Sequence, residues 1–393
     1  MGSSKFRLST ALAAACLLGG LSGVGLSQIG VQASFASASH PQIKVGGYPT
    51  GISLDPVTDT VYVGNGSDAG LSLINGRTCN ASATTGCSQT VTAVTEGHDP
   101  VGTVVDQTTN TVYAMNGSSD TVAVIDGRTC DAENTTACAH APALIKVGTG
   151  PQFAAVDPAT DTLYVANTLS NTVSIVDTRG CDAGSTVDCS HAVVATMPAG
   201  ASPLGIAIDV PTDTVYVTDD GSNDVAVIDG KTCNASVTKG CAKPVARKTV
   251  AFGPGGVAVN ERTNTVYVAD QSSDAVSIFS GTRCNSTVTS GCATPAFRQP
   301  EGSDDRGVAI NEVTNTVYVT STNSNVVDMF SGAACNGAVH TGCKAVYAAH
   351  VGVSPRRVVV DQSTDTVYVT NANSETVSMI DGRTCGSTDH AGC

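Results

Sequence analysis

Fourteen of the fifteen cysteines stand in pairs with one spacing, C-x7-C: Cys79/Cys87, Cys130/Cys138, Cys181/Cys189, Cys233/Cys241, Cys284/Cys292, Cys335/Cys343 and Cys385/Cys393. Two chemistries are open to such a pair, oxidation to a disulfide or capture of a soft metal. Zinc sites draw on closer pairs, with a second pair nearby, whereas these pairs recur at wide intervals. A local disulfide in each loop is therefore the expectation. Each would contribute about 2–3 kcal/mol in the chain-entropy picture, and seven of them suit an oxidising compartment. The remaining Cys16 lies in an N-terminal apolar run and is expected to be unpaired.

Acids also recur with regular spacing. Asp55/Asp59, Asp157/Asp161, Asp209/Asp213 and Asp361/Asp365 invite a catalytic reading as paired carboxylates, but Asn260/Asn264 and Asn311/Asn315 take the same places. Asp and Asn interchange freely where the side chain caps a turn by bonding nearby backbone amides, so turn chemistry is expected. Asp126, Asp177, Asp229 and Asp381, before the cysteine loops, are read the same way, with calcium as the alternative. The sequons at Asn80, Asn234 and Asn285 are expected to be exposed in those loops, as a by-product of composition.

The elements that position these residues follow from a second repeated word. T-[VL]-Y-[VA] carries Tyr62, Tyr113, Tyr164, Tyr216, Tyr267, Tyr318 and Tyr368, spaced 50–52 residues apart. Each period holds four short β-branched stretches. In the second copy these are 101–106, 111–115, 121–125 and 143–147, separated by Gln-Thr-Thr-Asn, by Asn-Gly-Ser-Ser-Asp and by the cysteine loop. Such runs between turn residues predict strands. A lone four-stranded sheet cannot bury both faces and must stack on its copies. Four strands per period fits an all-β, seven-bladed β-propeller of four-stranded antiparallel blades.

The words PTGISLDPVTDTVYVGN, PLGIAIDVPTDTVYVTD and RVVVDQSTDTVYVTNANSETVSMIDG resemble YVTN-type β-propeller repeats, related in pattern to NHL repeats. The resemblance covers the chain from about Pro41 to Cys393 and implies a secreted or surface protein. It also implies that the first strand of each blade lies innermost, along a central channel. The last copy ends at Cys393 without a fourth strand, and the chain begins with a spare one, Gln42–Val45. That segment is expected to complete the seventh blade, closing the ring and hiding two sheet edges.

Residues 39–393 are thus expected to form one propeller domain, preceded by a secretory signal peptide over 1–38. The leader has Lys5 and Arg7, an uncharged run from Leu8 to about Val31, and Ala36-Ser37-Ala38 as a cleavage pattern. A retained anchor is the alternative; no membrane span remains once the leader is removed.

In a repeat protein, function is sought where one copy departs from the others. The link into each inner strand is x-P-x-G, on the face where propeller sites commonly sit. Asp305 replaces its Pro in the sixth copy, and Phe153 and Arg357 replace its Gly in the third and seventh. Arg306, Arg356 and Arg357 from adjacent blades, with Asp304 and Asp305 beside them, could form a carboxylate- or phosphate-binding pocket. The alternative is an exposed Arg-Asp network of little consequence. Tyr48, His98, Asp99, Gln152 and Phe153 ring the remainder. The acids Asp68, Asp120, Asp219, Asp220, Asp224, Asp270, Asp274 and Glu375 are expected as a solvated rim of that face, or as holders of a divalent cation.

A net charge of −14 with no Trp argues against nucleic acid and anionic lipid. The preferred reading is a monomeric, secreted or cell-surface, non-catalytic binding or scaffold module for a protein, glycan or small anionic ligand. A metal-assisted hydrolase or lyase is the alternative, for which His98, Asp99 and the rim acids are the available groups. No cofactor is implied beyond a possible divalent cation.

Overall fold

A computed structural model describes residues 40–68, 70–88, 92–95, 99–343 and 346–393. The expected leader 1–38 and His98 lie outside them. Seven four-stranded antiparallel sheets follow one another along the chain. In the first, Pro49–Asp55 is innermost, followed by Thr60–Asn65, Gly70–Asn75 and Thr92–Thr95. The second strands are buried throughout, as in TVYVGN and TVYVTN, because both of their faces meet neighbouring blades. Among the described residues, the only helical segments are two single 3-10 turns, Cys189–His191 and Val210–Thr212.

The ring closes as the sequence predicts. Gln42–Lys44 pairs antiparallel with Thr376–Asp381 in the seventh sheet, with Ile43 opposite Val377. Ile43 is buried against Tyr368, Val377 and Met379, so the closure is apolar as well as hydrogen-bonded.

All seven cysteine pairs form the expected local disulfides: Cys79–Cys87, Cys130–Cys138, Cys181–Cys189, Cys233–Cys241, Cys284–Cys292, Cys335–Cys343 and Cys385–Cys393. The disulfides themselves are covered. Cys138, Cys241, Cys292 and Cys343 are at most 5% exposed. They pack in the cores that hold Tyr62, Tyr164, Tyr216 and Tyr267 of the preceding blades. Cys87 is only partly buried, against the core of Tyr368 in the seventh blade. The amides of Cys87, Cys138, Cys241, Cys292 and Cys343 each donate to the carbonyl three residues earlier, at 3.0–3.4 Å, which turns the loop back toward its partner cysteine. None of these five lines the channel-mouth cavity described below. They are structural residues.

The structure adds what the loops are for. Each repeat tyrosine is fully buried and donates its hydroxyl to the carbonyl of the first cysteine in the next blade, at 2.6–3.4 Å. The threonine two residues before each tyrosine accepts a backbone N–H from the same loop, at 2.8–3.3 Å. Tyr368 and Thr366 close the circle onto Cys79 and Ala81. The disulfide loops are therefore latches between blades. Burial raises every one of these phenols well above its ordinary pKa, so they stay donors.

The turn reading of the acids is borne out. Asp55 accepts from the Val57 amide and the Thr58 hydroxyl, both at 2.9 Å, and Asp59 and its six counterparts adopt left-handed φ between 47° and 57°. The sequons need correction. Asn80, Asn234 and Asn285 are only 4–5% exposed. Each amide nitrogen donates to the carbonyl four residues earlier, Gly76, Gly230 or Gly281, at 2.6–2.7 Å. They hold the latch loop in shape.

Candidate functional site

The inner strands pack side by side, and the first meets the seventh. Glycine recurs in their opening turn because a Cβ would strike the neighbour. On Gly51 it would lie 2.6 Å from the Gly102 Cα, on Gly205 2.3 Å from the Gly255 carbonyl oxygen, and on Gly307 2.8 Å from that of Arg356. Where Phe153 and Arg357 stand instead, the side chains enter the mouth of the channel. The third and seventh blades lie across the ring from each other, yet the Arg357 guanidinium carbon is 3.9 Å from the centroid of the Phe153 ring. The two departures from glycine thus meet as a cation–π pair bridging the mouth.

Tyr48 departs from the pattern in another way. Gly150, Ser202, Gly253, Asp304 and Ser354 hold the equivalent position, and all have positive φ; Tyr48 does too, at 51°. A bulky residue in that region carries strain of about 1–2 kcal/mol. Its hydroxyl accepts from Arg356 at 2.5 Å, and its ring lies 5.3 Å from that guanidinium.

Arg306 is paired with Asp304 at 3.0 Å. Among the described residues, neither Arg356 nor Arg357 has a carboxylate at ion-pairing distance. Burial, then repulsion by Arg306 and Arg356, pushes the Arg357 pKa down to about 9. Burial and Arg306 lower that of Arg356 as well. Both remain cations at neutral pH, poorly compensated.

A cavity of about 120 Å³ lies among these groups. It brings together Gln152, Phe153, Arg306, Arg356 and Arg357, with Tyr48 bonded to Arg356. Thr50, Val101, Leu204 and Gln271 also line it. Gln271 had no sequence expectation attached, yet glutamine stands at that position in this blade alone, the others carrying Gly66, Gly117, Thr168, Asp220, Thr322 and Ala372. Non-repetition was the available signal. Asp99 is not in the lining; it accepts from Ser118 at 2.7 Å. Asp305 is fully buried within its blade. There the Ser321 hydroxyl bridges it, at 2.7 Å, to Asp328, at 2.5 Å. A larger cleft of about 210 Å³ lies by the second cysteine loop, beside His140, Pro142 and Asp182, and gathers no comparable charge.

Of the expected solvated acid rim, Asp68, Asp274 and Glu375 are exposed, and two members need correction. Asp219 and Asp270 are fully buried, at the second-strand end where other blades carry Asn65, Asn116, Asn167 and Asn371. Asp219 meets Arg247 at 2.9 Å, whereas both carboxyl oxygens of Asp270 lack a partner. Burial pushes both up to about 7. Glu301, with its carboxyl oxygens buried and unpartnered, is pushed up to about 9, by burial first and then by Asp328 and Asp305. Among the described residues, no three His, Cys, Asp or Glu side chains are grouped to hold a metal ion.

The model of a family described as Lactonase, 7-bladed beta-propeller, matches residues 128–300. Among solved structures, the chain is similar to Kuenenia stuttgartiensis hydrazine synthase, with a TM-score of 0.66 and 18% identity over 89% of this chain and 98% of that one. It is also similar to a streptogramin B lyase, with a TM-score of 0.63 and 6% identity over 87% and 97%. A third likeness is to virginiamycin B lyase from Staphylococcus aureus, with a TM-score of 0.60 and 9% identity over 86% and 97%. No curated protein matches. At such identities the likeness is one of fold, a seven-bladed propeller, and this fold hosts unrelated activities.

Proposed function

We propose that this protein is a secreted binding propeller whose channel mouth takes a small anion. One observation carries the reading: in a chain of net charge −14, two guanidinium groups without a carboxylate partner line one cavity, beside a third. An anion there would relieve the mutual repulsion of three cations and supply the missing acceptors. The apolar leader and seven disulfides support a location outside the cytosol. The test is calorimetry of the mature protein with acetate, benzoate and inorganic phosphate. At least one should bind, and Arg306→Ala with Arg356→Ala should weaken it about tenfold or more. Equal binding by the double variant would remove the proposal.

A second reading is favoured by the family match over 128–300, which includes Asp220. Burial raises the Asp220 pKa against the pull of Arg306, the tuning expected of a general base. In this reading Asp220, outside the cavity lining but within the field of Arg306, takes a proton from water as the water attacks a lactone carbonyl, the arginines hold the developing oxyanion, and Asp220 returns the proton to the ring oxygen as its bond to the acyl carbon breaks, giving a hydroxy acid. Turnover of small lactones that Asp220→Asn abolishes would establish it; no turnover would leave the binding reading alone.

A further inference from the structure

The cavity walls differ in character, and the difference follows the ring. Arg306, Arg356 and Arg357 come from the sixth and seventh blades, whereas Val101, Phe153 and Leu204 come from the second, third and fourth. In a ring of seven, those two arcs face each other. Arg357 reaches across and lays its guanidinium on the Phe153 ring. A contact through the guanidinium carbon engages none of the N–H donors of that group. One of its nitrogens donates to the Arg306 carbonyl, and among the described residues the others have no hydrogen-bond partner.

The volume narrows the choice further. Drug-sized ligands occupy about 300 Å³ or more, while a dry cavity of about 150 Å³ accommodates benzene. At about 120 Å³, with an open mouth, this cavity matches one ring or one branched chain. A planar guanidinium fork complements a planar carboxylate.

We propose that the channel mouth selects a small amphipathic monocarboxylate, its carboxylate held by the arginine arc and its compact apolar body set against Val101, Phe153 and Leu204. This rests on the anion-binding reading above and adds the apolar requirement. Neither a short hydrophilic acid nor inorganic phosphate would use the second wall.

The experiment is isothermal titration of the mature full propeller, at pH 7 and fixed salt, with benzoate, 3-methylbutyrate, acetate, inorganic phosphate and benzyl alcohol. Benzoate or 3-methylbutyrate should bind about tenfold or more tighter than acetate and phosphate, as expected from burying a few CH2-sized groups. Benzyl alcohol should bind at least about tenfold more weakly than benzoate. Leu204→Asn and Phe153→Ala should each remove the preference for benzoate over acetate, while Arg356→Ala should weaken both. Leu204→Asn keeps the test available should Phe153→Ala not fold. Acetate or phosphate binding as tightly as benzoate would overturn the amphipathic proposal and leave the anion reading standing. Benzyl alcohol matching benzoate would overturn the anion reading, and no binding by any probe would overturn both.

Discussion

On the cysteine-loop face, each blade reaches the next through the same three devices: a tyrosine hydroxyl on a cysteine carbonyl, a threonine hydroxyl on a loop amide, and a disulfide that holds the loop in place. Those contacts join neutral groups, and the buried Lys248 ammonium beside the fifth loop is taken up by the carbonyls of Gly291 and Thr294. On the mouth face the equivalent positions differ from blade to blade, and the molecule there keeps unpaired ionisable groups of both signs, Arg356 and Arg357 in the cavity and Asp270, Glu301 and Asp305 behind it. Such groups are destabilising where they stand. One face therefore secures the ring, and its surplus stability permits the other to carry poorly compensated charge. Functional sites commonly show this exchange.

The largest test of that division is reduction. Seven nine-residue loops, each worth about 2–3 kcal/mol, should together lower the melting temperature by about 20 °C or more when calorimetry is repeated with a strong thiol reductant. A shift of only a few degrees would mean that the latches depend on packing and hydrogen bonds alone.

pH should affect the other face. Asp270 and Asp305 are raised to about 7 and Glu301 to about 9, against ordinary values near 4. A carboxyl raised on folding binds more protons folded than unfolded, so its stabilising contribution is present below about pH 4. It is lost as pH rises through the folded value. The protein should accordingly melt at a higher temperature at pH 5 than at pH 8. In the first, third and seventh blades the Asp270 position is an asparagine whose amide donates to a serine on the third strand, as Asn167 does to Ser174 at 2.9 Å. Asp270→Asn should restore that bond to Ser277 and gain about 1–2 kcal/mol at pH 8, with much less gain at pH 5. An equal gain at both values would show that the carboxyl is not ionised in the folded state at pH 8.

The two faces were also unequally legible in the sequence. The blade count, disulfide pairing and closing strand all followed from a period, because repetition and local spacing are visible in one dimension. The bond from Tyr62 to Cys130 was not, since a period gives the phase of two residues and not their contact across a blade boundary. Burial of Asn80 and Asp270 was missed for a related reason. Residues in and near turns are ordinarily exposed, and only the stacking of neighbouring blades covers these. At the mouth, Phe153, Arg306, Arg356 and Arg357 could be found by their failure to repeat. That Arg357 reaches Phe153 across the ring could not.

The smallest effect on stability should separate the faces most sharply. Tyr267→Phe removes one latch hydroxyl, which donates to the Cys335 carbonyl at 2.8 Å, and leaves that buried acceptor unpaired. A loss of about 1–2 kcal/mol is expected, with anion binding unchanged. Arg357→Met does the reverse. It gives up a cation–π contact worth about 0.5–2 kcal/mol and a part-buried bond to the Arg306 carbonyl, but removes a cation whose burial and arginine neighbours already depress its pKa. These terms nearly cancel, so the melting temperature should stay within about 2 °C of the parent or rise. Benzoate affinity should nonetheless fall about tenfold or more, because the fork that would hold the carboxylate is gone. If Arg357→Met instead melted well below Tyr267→Phe, Arg357 would be a structural strut across the channel, and the division between a securing face and a binding face would fail at its centre.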